Sequence, residues 1–433
     1  MKFNGIEAQD SSKYSQIASG IDADCSWVRG GHDNNSPQLK PSVGELRFIA
    51  RLSQKTIPDG YDVSDIVGGT AIEGSDVYLV GSKTKSKFYS SKQFIDDQIH
   101  GVSGSSIAAW MIIPGTGYES SSGGPFFRDI NNQGNMNSGH TQTESFRTGL
   151  HGPYALWFTT GSTPSSDIDT SFWDGLDVTG WVSEDDRGRV KGSATGYPSA
   201  YSDYMTVGFS NSAAQYWVRT DSDGDFVSPY MKPGTYTMTL YKMELAVATQ
   251  SVTVTAGSVK TSNIASTEAT PTVIWQIGEI DGTPRGFLNA DPSDSRMADW
   301  GPVSFTIGNN VDTFPMAIFK DIGAVTVKFT LSSSQGGART LDIATTLAFA
   351  GGRPVVTVNN WTSSTPSVPD QPDSRGVTRG TWRGNNIMYT YSIPSGYLNT
   401  GSTVNTLTIT VASGSSGSDF LSPNVVFDGL RLY

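Results

Sequence analysis

The stretch KPGTYTMTLYKMELAVATQSVTVTAG, residues 232–257, decides the fold class. Pro233 and Gly234 make a turn from which a strand must begin sharply. Beyond them, apolar residues alternate with threonine and other polar residues at a period of two, the pattern of half-buried strands. Three short strands are expected here. With GRVKGSATG (188–196) upstream, they form a small sandwich over residues 175–257. No cluster of chemically active side chains falls inside it, so the expected role is that of a spacer.

The same texture extends in both directions. After the Ser/Thr-rich linker SVKTSNIASTEATPT come TVIWQIGEI, VTVKFTLSS, TTLAFAG, NTLTITVASG and NVVFDGLRLY, a succession of short strands that suggests a jelly roll over 258–433. Trp275, Trp300, Trp361 and Trp382 lie in this part. They suit either sugar stacking or the aromatic core that such a sandwich needs. On the amino side, SVGELRFIARL (42–52) alternates as a half-buried strand with Arg47 and Arg51 on its non-core face. GTAIEGSDVYLVGS, the segment centred on Ala108–Ile113, and HGPYALWFTTG (151–161) read as further strands of a first domain over 1–174. The first forty residues are polar and irregular. The fold class is all-β.

The chain has 433 residues, net charge −11 and one cysteine, Cys25. That rules out an intrachain disulfide and cysteine-based zinc sites. The acidic balance argues against nucleic acid, and an anionic polysaccharide would need a local cationic site to overcome it. No apolar run is long enough to span a membrane, and the N-terminus lacks the apolar region of a signal peptide. Asn34 and Asn360 open sequons for glycosylation.

SKTKSKFYSS (82–91) supplies such a cationic site. If it is one strand, Lys83, Lys85, Lys87 and Tyr89 share a face. A lysine-bearing edge that discourages sheet-to-sheet pairing is the alternative. Of the four histidines, His32, His100, His140 and His151, each suits a structural role as well as a proton donor's. No G-x-S-x-G elbow is present, and ESSSGGPFF reads as a tight turn rather than a nucleophile. Glu45, Glu73, Glu119 and Glu144 show no pairing of the kind glycoside hydrolysis needs. Arg47, Arg51, Lys83, Lys85 and Lys87, with His140, suit β-elimination on a uronic acid. An arginine neutralises the carboxylate and acidifies the adjacent proton, a lysine of lowered pKa removes it, and an acid protonates the leaving oxygen. No metal or other cofactor is required.

GELRFIARL, GTAIEGSDVYLVGS, SKFYSSKQFIDD, YESSSGGPFFRDI, MNSGHTQTES and GLHGPYAL occur in that order in the first domain. Together with PGTYTMTLYKMELAVATQSVTV, PSDSRMADWGP, LAFAGGRP, DSRGVTRGTWRG and LSPNVVFDGL, they resemble fungal rhamnogalacturonan lyases of polysaccharide lyase family 4, from about residue 41 onward. The resemblance implies a galactose-mutarotase-like sandwich, a fibronectin-III-like domain and a carbohydrate-binding-module-like jelly roll. It also implies endolytic cleavage between rhamnose and galacturonic acid in rhamnogalacturonan I, by a secreted monomer. Lys87 takes the place of the family's base, His140 of its acid and Arg47 of its carboxylate clamp. Arg51, Lys85 and Tyr89 are expected to support substrate binding. Two departures stand out. Gln133–Asn135 occupy the place of an aromatic stretch ahead of M-N-S-G-H, and the N-terminus resembles a shortened version of the family's. A carbohydrate-binding protein without catalysis is the alternative reading.

Overall fold

Alternation at a period of two becomes strand after strand in the computed structural model, with short 3-10 turns as its helical elements among the described residues. The structure describes residues 180–290, 300–371, 376–379 and 381–433, and ahead of them 2–3, 6–7, 52–53, 55–57, 68–73, 77–81, 83–86, 88–89, 93–96, 98–112, 124–126, 129–131, 136–137, 155–167, 169 and 171–175. The chain divides into two compact units, Met1–Asp62 with Lys92–Glu268, and Val63–Ser91 with Ala269–Tyr433.

In the first unit, the opening stretch forms two long strands, Gly234–Lys242 and Leu245–Val254, rather than three short ones. Met243, at φ 52°, occupies the two-residue turn between them with Glu244. Neither is a usual turn residue, which hid the turn from sequence reading. The sheet runs Gln215–Arg219, Met205–Ser210, Gly234–Lys242, Leu245–Val254. A second sheet places Arg189–Thr195 between Asp225–Val227 and Val259–Thr261, antiparallel to the first and parallel to the second. Val190, Ala194 and Phe226 from this sheet and Val207, Phe209, Met238 and Leu240 from the other share one core. Each such side chain, once buried, stabilises the fold by about 2 kcal/mol before entropy is counted. Ile99–Ser103, Ala108–Ile112 and Ala155–Thr159 form a separate antiparallel sheet of this unit. The expected 42–52 strand lies outside the described residues except Leu52, which is not in a strand.

The second unit contains the jelly roll. One sheet runs Trp275–Gly278, Asn424–Leu432, Arg339–Phe349, Ile387–Ile393. The other runs Val303–Thr306, Val325–Phe329, Asn405–Ala412, Arg353–Val358, Trp361–Thr362. Phe314 sits at the centre of the core, with Phe287, Phe305 and Phe427 ring centroids 5.2, 5.4 and 5.4 Å away. Trp275 and Trp382 belong to this core, as the core reading expected, and Trp300 and Trp361 are half-buried against it. The expected TTLAFAG strand starts earlier, at Arg339. A buried aspartate, Asp342, had interrupted the apolar pattern. Its charge is met by Arg431 Nε at 3.0 Å and by the Thr390 hydroxyl at 2.7 Å.

Candidate functional site

The lysine segment forms the strand Lys83–Ser86, paired with Val77–Val80 across a turn at Gly81. Lys83 stands opposite Val80 and Lys85 opposite Tyr78. The strand lies at the edge of a three-stranded sheet completed by Thr70–Glu73, so the edge reading holds for its position. The expected single strand through Tyr89 does not form. The described ladder ends at Val77↔Ser86, and Phe88–Tyr89 is a separate two-residue strand. Lys87 falls between the two, outside the described residues, as do Arg47, Arg51 and His140. Met136–Asn137, the first residues of M-N-S-G-H, pair antiparallel with Asp129–Asn131. His100 lies on the Ile99–Ser103 strand.

Within the second unit, the Lys83–Ser86 strand lies against the turn Gly376–Arg379, part of DSRGVTRGTWRG. No spacing rule could bring these segments together, since almost three hundred residues separate them; the pairing is purely tertiary. The turn is fixed locally. Gly376, at φ 42°, has Leu347 so close that a Cβ would fall 1.9 Å from its Cδ2, so a side chain there would have to displace Leu347 and take a strained backbone conformation. The amide of Thr381 closes the turn onto the Gly376 carbonyl at 3.0 Å. Gln371 clamps the base of the loop, accepting from the Asn385 amide at 2.8 Å and donating to its carbonyl at 2.7 Å.

In the first unit, Gly124–Phe126 make structural contacts. Gly124 adopts φ 62°, and its amide donates to Gln215 Oε1 at 3.0 Å. Phe126 is buried edge-on against Tyr241 at 5.2 Å. Burial pushes the Tyr241 hydroxyl pKa up. Nearby, Arg219 Nη2 donates to both Gln93 Oε1 and Asp96 Oδ2 at 2.6 Å, and Gln93 Nε2 donates to Glu244. These contacts anchor residues 93–96 and 124–126 on the sheet that holds Gln215–Arg219. The serines of ESSSGGPFF lie outside the described residues.

The second unit buries two carboxylates beside each other. Asp428 Oδ1 accepts from the amides of Asp281 and Gly282, each at 2.9 Å, and Asp281 Oδ1 accepts from Thr283. Burial, then the charge of Asp281, holds the Asp428 carboxyl well above the usual carboxylate range. Among the described residues, no group of three His, Cys, Asp or Glu side chains is arranged to hold a metal ion.

Comparison with known proteins matches each part of the chain in order. The family model described as rhamnogalacturonan lyase B, N-terminal, covers residues 32–180, nine residues ahead of the start expected from the motifs. Polysaccharide lyase family 4 domain II covers 186–262, and domain III of the same family covers 273–432. Rhamnogalacturonate lyase A of Aspergillus aculeatus is 54% identical over 414 residues, 91% of this chain and 77% of the relative. Rhamnogalacturonate lyase A of Emericella nidulans is 53% identical over the same shares of the two chains. A probable rhamnogalacturonate lyase A of Aspergillus clavatus is 48% identical and is matched over 100% of this chain and 90% of its own. Among solved structures, an exo-β-1,3-galactanase from Phanerochaete chrysosporium aligns over 87% of this chain and 99% of that one, at 11% identity and a TM-score of 0.22. That score is too low to carry its fold or activity across.

Proposed function

This chain belongs to polysaccharide lyase family 4, and on that premise we propose that it is a rhamnogalacturonan lyase that cuts the rhamnose–galacturonic acid bond of rhamnogalacturonan I endolytically, by β-elimination. The observation that carries this is the 54% identity to Aspergillus aculeatus rhamnogalacturonate lyase A over 91% of the chain. Arg47 neutralises the uronate carboxyl, so that the neighbouring C5 proton becomes acidic and the developing enolate is stabilised. Lys87 removes that proton, its pKa lowered by the cations beside it. His140 then protonates the departing O4 oxygen. Electrons move from the C5–H bond into a new C4–C5 double bond as the C4–O bond breaks. Arg51, Lys85 and Tyr89 hold the neighbouring sugars. Lys85 supports this role by lying on a strand at the end of its sheet among the described residues. The substrate is a cell-wall polysaccharide, so the site of action lies outside the cell. Among the described residues, no helix is long and apolar enough to cross a membrane.

The test is ultraviolet absorbance of the unsaturated uronate when the chain is mixed with rhamnogalacturonan I. Absorbance rises with the parent chain and stays flat with a folded Lys87→Ala variant. Equal rates for the two remove Lys87 as the base. A flat trace from a folded parent that binds the polymer means binding without catalysis.

A further inference from the structure

The outer face of the sheet that holds Arg189–Thr195 is unlike the rest of this acidic chain. Val190 and Ala194 point into the core, so Arg189, Lys191 and Ser193 stand on the opposite, solvent side. Cross-strand register places Val259 beside Arg189. It places Val227 and Thr261 on either side of Lys191. Val227 is 44% exposed, Val259 57% and, in the loop after Asp225–Val227, Tyr230 is 42% exposed. The Arg189 guanidinium lies over the Tyr230 ring, 4.8 Å from its centroid, and its Nε donates to the Ser228 carbonyl at 2.8 Å. Among the described residues, neither Arg189 nor Lys191 forms an ion pair. Asp225 is the acid of this face. It lies opposite Ser193, whose hydroxyl donates to it, at the end away from Arg189.

We propose that this face is a non-catalytic binding site for an acidic polysaccharide, with Tyr230 as a stacking platform and Arg189 and Lys191 as partners for sugar carboxylates. The polymer class rests on the lyase reading. The chemistry of the face points to it independently. A sugar ring presents apolar C–H faces and equatorial hydroxyls, and an exposed tyrosine flanked by valines suits the former. A uronate adds a carboxylate that a planar guanidinium meets with two donors. Arg189 is already oriented by Tyr230 and Ser228, so little rotamer freedom is lost on binding. The two cations are two residues apart on one strand, about 7 Å, and so can serve neighbouring groups of one chain. Net charge −11 repels an anionic polymer at long range, but salt screens that field beyond about 8 Å, leaving the local cations to decide at contact. A second binding site on the chain would keep a long polymer near the enzyme by raising its effective concentration.

The experiment is affinity electrophoresis of the full chain through gels holding either rhamnogalacturonan I with free carboxylates or a neutral galactan. A Lys87→Ala background removes turnover, so retention is read separately from catalysis. Loss of the lyase activity in the parent chain therefore leaves this measurement intact. The acidic polymer retards the chain and the galactan does not. The double variant Tyr230→Ala, Lys191→Glu, at two exposed positions, binds about tenfold more weakly, equivalent to about 1.4 kcal/mol, with a flatter salt dependence. Lys191→Arg keeps the retardation. An unchanged mobility shift in the folded double variant, or equal retardation by the neutral galactan, overturns the proposal.

Discussion

Lys242 is a buried cation whose ammonium is held by both carboxylate oxygens of Glu268 at 2.7 Å and lies 5.2 Å from the Tyr201 ring centroid. Removing one partner from such a pair leaves an uncompensated charge inside the protein. Glu268→Gln should therefore cost about 3 kcal/mol, and Lys242→Met, which leaves unpaired the more exposed partner, Glu268, should cost less. Thermal unfolding of the two variants orders them; a Lys242→Met variant less stable than Glu268→Gln contradicts this account. The exposed pair Arg219–Asp96 is a contrast, because solvent screens it, and Asp96→Asn should shift the midpoint little. At this scale the sequence was only partly legible. Three lysines at alternate positions suggested a cationic strand, yet nothing in their spacing separated Lys87 from Lys83 and Lys85. That distinction came from resemblance to a family. The tryptophans were equally ambiguous, since stacking on a sugar and packing in a core demand the same side chain.

Strand identity was easier to read than strand length. The alternation in VTVKFTLSS, NTLTITVASG and NVVFDGLRLY produced strands at Val325–Phe329, Asn405–Ala412 and Asn424–Leu432 because each has one face in the core and one outside. It failed where a turn lacked turn residues, at Met243, and where a buried charge broke the pattern, at Asp342. Tertiary partners resolve both, and they are invisible in a local window. The Lys83–Ser86 strand shows the same limit: its alternation was legible, but its pairing with Val77–Val80 was not. As an edge strand it should rely on its lysines to resist pairing with a second molecule. Replacing Lys83 and Lys85 together with valine should raise self-association severalfold at the same concentration. Light scattering checks this, and a variant that stays as dispersed as the parent removes the protective role.

For the molecule as a whole, the buried carboxyl of Asp428 makes stability depend on pH. Its pKa is raised on folding, so the folded state keeps a proton that the unfolded chain loses above about 3.9. Stability from this group is therefore greatest at low pH and falls as pH rises from about 4 towards the folded-state value. Asp428→Asn can still accept the two backbone hydrogen bonds but no longer ionises, so it should flatten that part of the curve. Thermal midpoints of the second unit between about pH 4 and 7 test this; a slope in the Asp428→Asn variant as steep as the parent's places the titration elsewhere.

The Asn424–Leu432 strand lies inside its sheet, hydrogen-bonded to Trp275–Gly278 on one side and Arg339–Phe349 on the other, with Ala317–Phe319 also pairing to it. A ribosome delivers those neighbours well before it delivers the strand that joins them. Until residues 424–432 emerge, Trp275 and Leu341 lack the partner that both share, Leu432. That sheet is thus completed only once the strand has been translated, and a premature stop before Asn424 would leave Trp275–Gly278 and Ala317–Phe319 without the strand that joins them to Arg339–Phe349.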